Sequence, residues 1–169
     1  LIFVRNALVG CGLKSEIRLA ASGKVHSGAG LATNAALGAD WSNAARAFMF
    51  SLGCVQSMQC HTGNCPTGVA TQDQGRQRGL VVEDKAERVR RFQAATVSAL
   101  WEIVAAMGLE TPWQIAPHHL SERLNSAQSD SIDRIYPFFQ PNVLLEDPGS
   151  TTAARYWAMA QAESFRAFG

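Results

Sequence analysis

The chain has 169 residues, of which 47% are hydrophobic and 17% are charged, and its formal net charge is +1. This length is sufficient for one domain with a substantial core. The near-neutral charge, without blocks of like charge, argues against a nucleic-acid-binding surface. No apolar run approaches the roughly 20 residues that span a bilayer. We therefore expect a soluble, cytoplasmic protein without nucleic-acid or membrane partners.

The first part of the chain alternates between helical and strand patterns. Apolar residues in Leu1–Leu13 recur at helical spacing, and Gly12 stands where a glycine commonly follows a helix. The short apolar segment Ile17–Ala21 predicts a buried strand, Gly28–Leu37 predicts an alanine-rich helix, and residues 39–44 predict a second strand. Such alternation is typical of βα units and a parallel sheet, either open or closed into a barrel. Because the chain starts without Met inside a helical pattern, we expect it to be part of a longer protein.

A long amphipathic helix is predicted from Asp84 onward. Asp84 and Glu87 have the spacing of a capping box, and Gly108 follows the last periodic residue. Glu87 and Arg91 are placed to pair on the exposed face. The apolar stripe comprises Ala86, Val89, Phe92, Val97, Leu100, Val104 and Met107.

The last third of the chain has weaker patterns. Thr111 followed by Pro112 predicts a short helix, residues 126–149 are predicted to be loop-like, and Thr151–Phe168 predicts a final helix. His118 and His119 are adjacent, and consecutive helical residues point about 100° apart. We therefore assign them solvent or packing roles. The final helix has these side chains available for packing: Tyr156, Trp157, Met159 and Phe165.

Three cysteines lie in the segment GCVQSMQCHTGNCPTGVATQD, residues 53–73. Cys54, Cys60 and Cys65 are spaced C-x5-C-x4-C among glycines and a proline that prevent a long helix. A tight loop can direct three thiolates at one centre, and thiolates are the ligands of iron–sulfur clusters. Three ligands indicate a cluster with one corner that lacks a protein-bound iron, or a fourth ligand elsewhere.

Other interpretations of these cysteines stay open on the residues alone. Free cysteines are among the most buried residue types, so the three could be inert core residues. Zinc is a second alternative with His61 as a fourth ligand, although the C-x2-C spacing of zinc ribbons is missing. A disulfide requires an oxidising compartment, which nothing in the sequence indicates.

At these residues the chain resembles a known family. The cysteine segment is similar to the loop of the glutamate synthase FMN domain in which three cysteines hold a [3Fe–4S] cluster. Upstream, LAASGKVHSG and LATNAALGADWSNAARAFMFSLG resemble the seventh and eighth βα units of that barrel, and DKAERVRRF resembles the helix after the cluster. The resemblance spans about Ile17–Met107 and is nearest to single-domain glutamate synthase-related proteins. It implies the C-terminal part of a (β/α)8 TIM barrel over residues 1–108, with the cysteine loop at 53–73, and a helical and loop extension over 109–169.

The resemblance also implies two cofactor sites. Cys54, Cys60 and Cys65 would hold the cluster. In such barrels a phosphate is commonly bound by the loops after strands seven and eight, and glycine turns and basic side chains suit an anion. The residues expected to bind the FMN phosphate are Ser22, Gly23, Lys24, Asn43, Ala44, Ala45 and Arg46.

The activity that the resemblance implies is the reductive amination of 2-oxoglutarate with ammonia to glutamate. Reduced FMN delivers the hydride, and the cluster passes electrons to the flavin. The family's substrate-contacting and flavin-ring-contacting residues belong to earlier strands, so we expect none of them in this chain and the catalytic residues are unknown. An amidotransferase or an electron-donor protein is the expected kind of protein partner. Two alternatives are a zinc-stabilised structural or interaction module, and another FMN-dependent TIM-barrel oxidoreductase without the cluster.

Overall fold

A computed structural model describes residues 1–164 of the chain, which form two compact units. The first unit comprises Leu1–Leu19, Ala35–Asp40 and the chain from Ala116 onward. The second unit comprises Ala20–Asn34 and Trp41–Ile115. Each unit is therefore built from segments that are not contiguous in the sequence. The domain boundary predicted between residues 108 and 109 stays a prediction.

The second unit contains a parallel pair of strands, which confirms the mixed α/β prediction. Strand β1 (Ala20–Ser22) pairs with β2 (Trp41–Asn43), and Ser22 is opposite Asn43 in the ladder. Helix α2 (Gly28–Ala36) lies between the two strands in the chain, and α3 (Arg46–Ser51) follows the second. Within the described part of the chain this sheet has two strands and is not a closed barrel.

Both strands are displaced from their predicted positions. The first was expected at Ile17–Ala21, but the amides of Glu16 and Ile17 both donate to the carbonyl of Leu13, which makes this segment a turn. The second is shorter than expected and begins at Trp41. Just before it, the Asp40 amide donates to the Leu19 carbonyl at 2.8 Å, and the Asp40 carboxylate accepts from the Leu19 amide at 2.6 Å.

Helix α5 (Val82–Ala106) is the longest element, and its predicted start was wrong. The helix begins two residues before Asp84, and its N-cap residue Val81 makes no side-chain cap bond. Glu87 instead accepts hydrogen bonds from Arg90 and Arg91, and these bonds hold the pKa of its carboxyl at about 2. The predicted pairing of Glu87 with Arg91 is confirmed at 2.7 Å.

The predicted end of α5 is confirmed, as is part of its apolar stripe. Gly108 has a φ of +72°, and the amide of Leu109 donates to the carbonyl of Val104 in the manner of a Schellman cap. Val104 is 1% exposed. Phe92 packs edge-on against Phe48 of α3, with 5.1 Å between ring centroids. Further along, a 3₁₀ helix at Pro112–Gln114 stands where the short helix was predicted.

The first unit is built around α1 (Ile2–Gly10), which packs against α7 (Val143–Glu146). Gly10 lies so close to Leu144 that an added Cβ would be 2.6 Å from its Cγ. Asn6 is 4% exposed, donates to the carbonyl of Pro137 at 2.7 Å, and accepts from the amide of Phe139 at 3.1 Å. These buried bonds fix the later segment on the first helix.

Residues 126–149 were predicted to be loop-like, but they contain regular secondary structure. An antiparallel hairpin joins β3 (Ser121–Arg123) to β4 (Ser129–Ser131), and α6 (Ile132–Ile135) follows before α7. Asn125 forms the hairpin turn, where its side-chain oxygen accepts from the amides of Ala127 and Gln128. The hairpin was missed because both strands are short and polar, so they lack the alternation that indicates a strand.

The final helix is shorter than predicted. Helix α8 spans Ala154–Met159, and Tyr156 contacts Phe3 edge-on with 6.4 Å between ring centroids. The predicted continuation was wrong for residues 160–164, where Ala160 is extended and an isolated bridge joins Gln161 and Ser164, and its remainder, which includes Phe165, lies outside the described residues. Among residues 1–164, the helices are all too short or too polar to cross a membrane.

Candidate functional site

The loops that follow β1 and β2 meet around one cavity in the second unit. Because the two strands are parallel and Ser22 is opposite Asn43, the loops leave the same edge of the ladder. The cavity has a volume of about 550 Å³, and we call it the loop cavity. It is lined by Ser22, Gly23, Lys24, Val25, His26, Asn43, Ala45, Arg46, Ala47 and Phe50.

Six of the seven residues predicted to bind phosphate line the loop cavity. The exception is Ala44, which lines a smaller neighbouring cavity of about 180 Å³. Four lining residues were not predicted as site residues: Val25, His26, Ala47 and Phe50. For His26 the available signal was its position in the same post-strand loop as Lys24; the other three contribute apolar surface.

The turn after β1 has a left-handed backbone. Gly23 has a φ of +110° and Lys24 a φ of +55°, and a left-handed conformation is rare for a residue with a side chain. A Cβ placed on Gly23 would meet no atom within 4 Å, so the backbone conformation and not crowding accounts for glycine here. The absence of a side chain leaves the backbone open to close approach by a ligand.

The loop cavity has the electrostatics of an anion site. Its lining contains two basic side chains, Lys24 and Arg46, and no Asp or Glu. Among residues 1–164, neither of these side chains forms an ion pair. Both are exposed, and an arginine guanidinium can form two parallel hydrogen bonds to a phosphate. The residues present therefore fit a phosphate group.

The loop after β1 is anchored by residues that precede and follow His26 in the sequence. Val25 is 6% exposed. Gly28 packs on α5 so tightly that a Cβ there would lie 2.5 Å from the Leu100 amide nitrogen. Ser27 caps α2, since its hydroxyl accepts from the Gly30 amide at 3.2 Å. The loop is thereby anchored to the helices behind it.

The cysteine loop begins directly after α3, also in the second unit. The amide of Cys54 donates to the carbonyl of Met49 at the end of that helix, and Cys60 begins a 3₁₀ helix at Cys60–Thr62. Cys54 is half-buried, Cys60 is exposed and Cys65 is 5% exposed. All three are free thiols, so the disulfide alternative is not realised.

Cys65 lies among hydrogen-bond donors that favour the thiolate. The Thr67 hydroxyl lies 3.5 Å from its sulfur, and the backbone amides of Ala70, Thr67 and Val69 also point toward it. These donors lower the pKa of the Cys65 thiol to about 7, because they stabilise the charged form more than burial disfavours it. A thiolate is the form of cysteine that binds metals.

Helix α4 (Gln74–Gln77) closes the loop around Cys65. Arg76 donates to the carbonyl of Asn64 at 2.8 Å, and Gln77 donates to the carbonyl of Thr71 at 2.8 Å. The Thr71 hydroxyl in turn donates to the carbonyl of Gly63. The half of the loop that carries Cys65 is therefore ordered by the protein's own hydrogen bonds.

The three cysteine sulfurs are not gathered at one point. Within the described residues, no three His, Cys, Asp or Glu side chains are close enough to share a metal ion, which applies equally to a zinc site completed by His61. In residue type and loop position, three free thiols fit an iron–sulfur cluster. Metal binding and local folding are commonly coupled, so a cluster would have to draw Cys54 and Cys60 toward the ordered Cys65.

The remaining candidates belong to the first unit, whereas both sites belong to the second. Cys11 follows α1 in the first unit, where Gly12 has a φ of +73°. His118 and His119 stand in a 3₁₀ helix at Pro117–His119, and the ring of His119 accepts from the Ala116 amide at 2.9 Å. A capping role for His119 agrees with the packing or solvent role predicted for this pair.

Comparison with known proteins decides the family. A family model described as "Conserved region in glutamate synthase" matches residues 1–110. The chain belongs to the glutamate synthase family. Within this family, the glutamate synthase large subunit-like protein YerD of Bacillus subtilis is 38% identical over 124 residues, which cover 73% of this chain and 24% of that protein.

Two further relatives carry glutamate synthase names. The archaeal glutamate synthase [NADPH] of Methanocaldococcus jannaschii is 35% identical over 59% of this chain and 20% of its own length. The glutamate synthase [NADPH] large chain of Azospirillum brasilense is 31% identical over 59% of this chain and 6% of its own length. The chain thus spans about a quarter or less of each of these relatives.

Proposed function

We propose that this chain is the phosphate-binding and cluster-binding part of an FMN-dependent glutamate synthase-type oxidoreductase, built on a (β/α)8 barrel. The observation that carries the proposal is the loop cavity, which is lined by a glycine turn and by two basic side chains that form no ion pair within residues 1–164. Membership of the glutamate synthase family supports the same reading. The reaction is the reductive amination of 2-oxoglutarate with ammonia to glutamate.

At the loop cavity, the protein's own groups bind and orient the phosphate end of FMN. Gly23 lets backbone amides approach the anion, and Lys24 and Arg46 neutralise its charge. Ser22 and Asn43 line the same space with a hydroxyl and an amide. FMN supplies hydride transfer when it is bound. The substrate-binding groups belong to the part of the enzyme outside this chain.

At the cysteine loop, we assign Cys54, Cys60 and Cys65 as the ligands of a [3Fe–4S] cluster, which supplies electron transfer when bound. Support comes from the three free thiols in one loop and from the donors that favour the thiolate of Cys65. An electron-donor protein and a source of ammonia, such as an amidotransferase, are the partners that this reaction requires.

An absorption spectrum of the purified intact protein separates this proposal from its alternatives. Flavin bands with a broad brown shoulder, together with about three iron atoms per chain by metal analysis, are expected. Flavin bands without iron would contradict the cluster assignment and indicate another FMN-dependent barrel. A colourless protein that contains zinc would contradict the whole proposal.

Substitution of Arg46 tests the loop cavity itself. Arg46→Ala removes a charge-assisted contact worth roughly 1.5–3 kcal/mol, so we expect FMN binding to weaken about tenfold or more. Binding of riboflavin, which has no phosphate, is expected to stay unchanged. Arg88→Ala is the matched control, because Arg88 is exposed on α5 and does not line the cavity. Equal losses for FMN and riboflavin would show that Arg46 supports the fold instead.

A further inference from the structure

We infer that His26 is an additional phosphate-binding residue of the loop cavity, and that it donates a ring N–H to the same anion as Lys24 and Arg46. This inference rests on the proposed function and deepens it, because it names a third side chain for a site that was otherwise defined by two cations. The juxtaposition that carries it is the placement of all three side chains around one cavity that has no acidic residue in its lining.

The position of His26 is determined by the residues on either side of it. Val25 is buried, and Gly28 is in contact with the backbone of α5 at Ala99 and Leu100. A loop fixed at both points cannot swing away from the cavity without separating from α5. His26 thus lines the loop cavity, and also the neighbouring smaller cavity, from a segment that is anchored on both sides, which suits a binding residue that acts without rearrangement.

His26 has no structural partner of its own. Among residues 1–164, its ring makes no hydrogen bond, ion pair or ring contact, and the side chain is exposed. The contrast with His119 is informative, because that ring accepts a hydrogen bond from the Ala116 amide. An imidazole with a fold-supporting role has such a partner, whereas the ring of His26 keeps its hydrogen-bonding groups available to a ligand.

The chemistry of the three side chains is complementary. A phosphate monoester presents three terminal oxygens that accept hydrogen bonds. The lysine ammonium is a compact positive charge, and the planar arginine guanidinium can donate two parallel hydrogen bonds. An imidazole carries at least one N–H donor in either protonation state. Lys24 and His26 come from the loop after β1, and Arg46 is the first residue of α3, which follows β2. The anion would thus be held from two sides.

The test compares FMN with riboflavin as ligands of the intact protein after removal of bound flavin. His26→Ala removes the donor, and we expect the dissociation constant of FMN to rise about tenfold while that of riboflavin is unchanged. His26→Gln keeps an N–H donor on a side chain of similar reach, so it should recover most of the FMN affinity. His118→Ala is the matched control, because His118 is also exposed but belongs to the first unit and does not line the loop cavity.

The outcomes separate this inference from the proposed function. A selective loss of FMN affinity in His26→Ala, with recovery in His26→Gln, supports the inference. Unchanged FMN affinity in His26→Ala, while Arg46→Ala still discriminates FMN from riboflavin, overturns the role of His26 and leaves the proposed site intact. If Arg46→Ala also fails to discriminate the two flavins, the phosphate site itself is wrong. Equal losses of both flavins in His26→Ala would assign the residue to the fold and overturn the inference.

Discussion

Two glycines in the first turn of α2 are expected to respond in opposite directions to the same substitution. At Gly28, an added Cβ would lie 2.5 Å from the Leu100 nitrogen and 2.6 Å from the Ala99 carbonyl carbon, both in the backbone of α5. At Gly30, the nearest atom to an added Cβ is the Ser27 hydroxyl oxygen at 3.7 Å, which is an ordinary contact. Neither glycine has a positive φ, so backbone strain does not enter the comparison.

The expected magnitudes follow from these contacts. Gly30→Ala gains about 0.5–1 kcal/mol of unfolding free energy, because alanine loses less backbone entropy in a helix. Gly28→Ala has the same gain but must push two packed helices apart, and overpacking of this kind costs about 1–3 kcal/mol. Helix backbone cannot rotate away as a side chain can. We therefore expect Gly28→Ala to be less stable than Gly30→Ala by about 1–3 kcal/mol.

The assay is urea unfolding of the intact protein and of both variants, followed by circular dichroism and by flavin fluorescence. We also expect Gly28→Ala to weaken FMN binding, since the displaced residue adjoins the loop that carries His26. Gly30→Ala should bind FMN as the parent does. If Gly28→Ala proved as stable as Gly30→Ala, the close packing of α2 on α5 and the anchored loop derived from it would both be refuted.

Two further predictions concern other parts of the chain. Asp40 accepts hydrogen bonds from Lys14 and from the Leu19 amide. Burial raises the pKa of its carboxyl, but these bonds outweigh burial, so the net effect is a lowered pKa. Asp40→Asn should therefore destabilise the protein by roughly 1.5–3 kcal/mol at neutral pH. Because the folded pKa is depressed, this contribution is present above the unfolded value of about 3.9 and is lost as the pH falls through the folded value. Parent and variant should therefore converge in acid unfolding, and a difference that persists at low pH would contradict the assignment. Cys60→Ser should abolish bound iron, whereas Cys11→Ser should leave the iron content unchanged. Iron analysis of the purified variants measures both. Equal iron content in the parent and in Cys60→Ser would rule out the cysteine loop as the cluster site.

The ends of two helices could be predicted from the sequence. The helices before Gly12 and Gly108 end where expected, because a left-handed glycine terminates a helix through local bonds alone. The start of α5 was not predicted correctly, since Glu87 bonds to Arg90 and Arg91 in preference to a cap. Competition between partners for one side chain is decided by geometry that the sequence pattern does not contain.

The candidate site divides along the same line. The resemblance to glutamate synthases predicted seven phosphate-binding residues, and six of them line the loop cavity in the structure. Ala44 does not, because it faces a neighbouring cavity. His26 was missed because its position in the same loop as Lys24 was the available signal, and that position by itself does not show whether a loop histidine lines a cavity. The polar hairpin of β3 and β4 was missed for lack of any hydrophobic alternation.

By itself, the sequence determined the residue types available for chemistry: three thiols in one loop, basic residues after two strands, and the mixture of helix and strand. These depend on side-chain identity and on local backbone preference, which act over a few residues. Only the tertiary structure decided which groups meet. The parallel pairing of Ser22 with Asn43 brings two loops to one edge, and the contact of Gly28 with α5 fixes the loop that carries His26. Such contacts join residues that are far apart in the chain. They form because apolar side chains are buried and backbone groups are hydrogen-bonded only when the whole chain is folded.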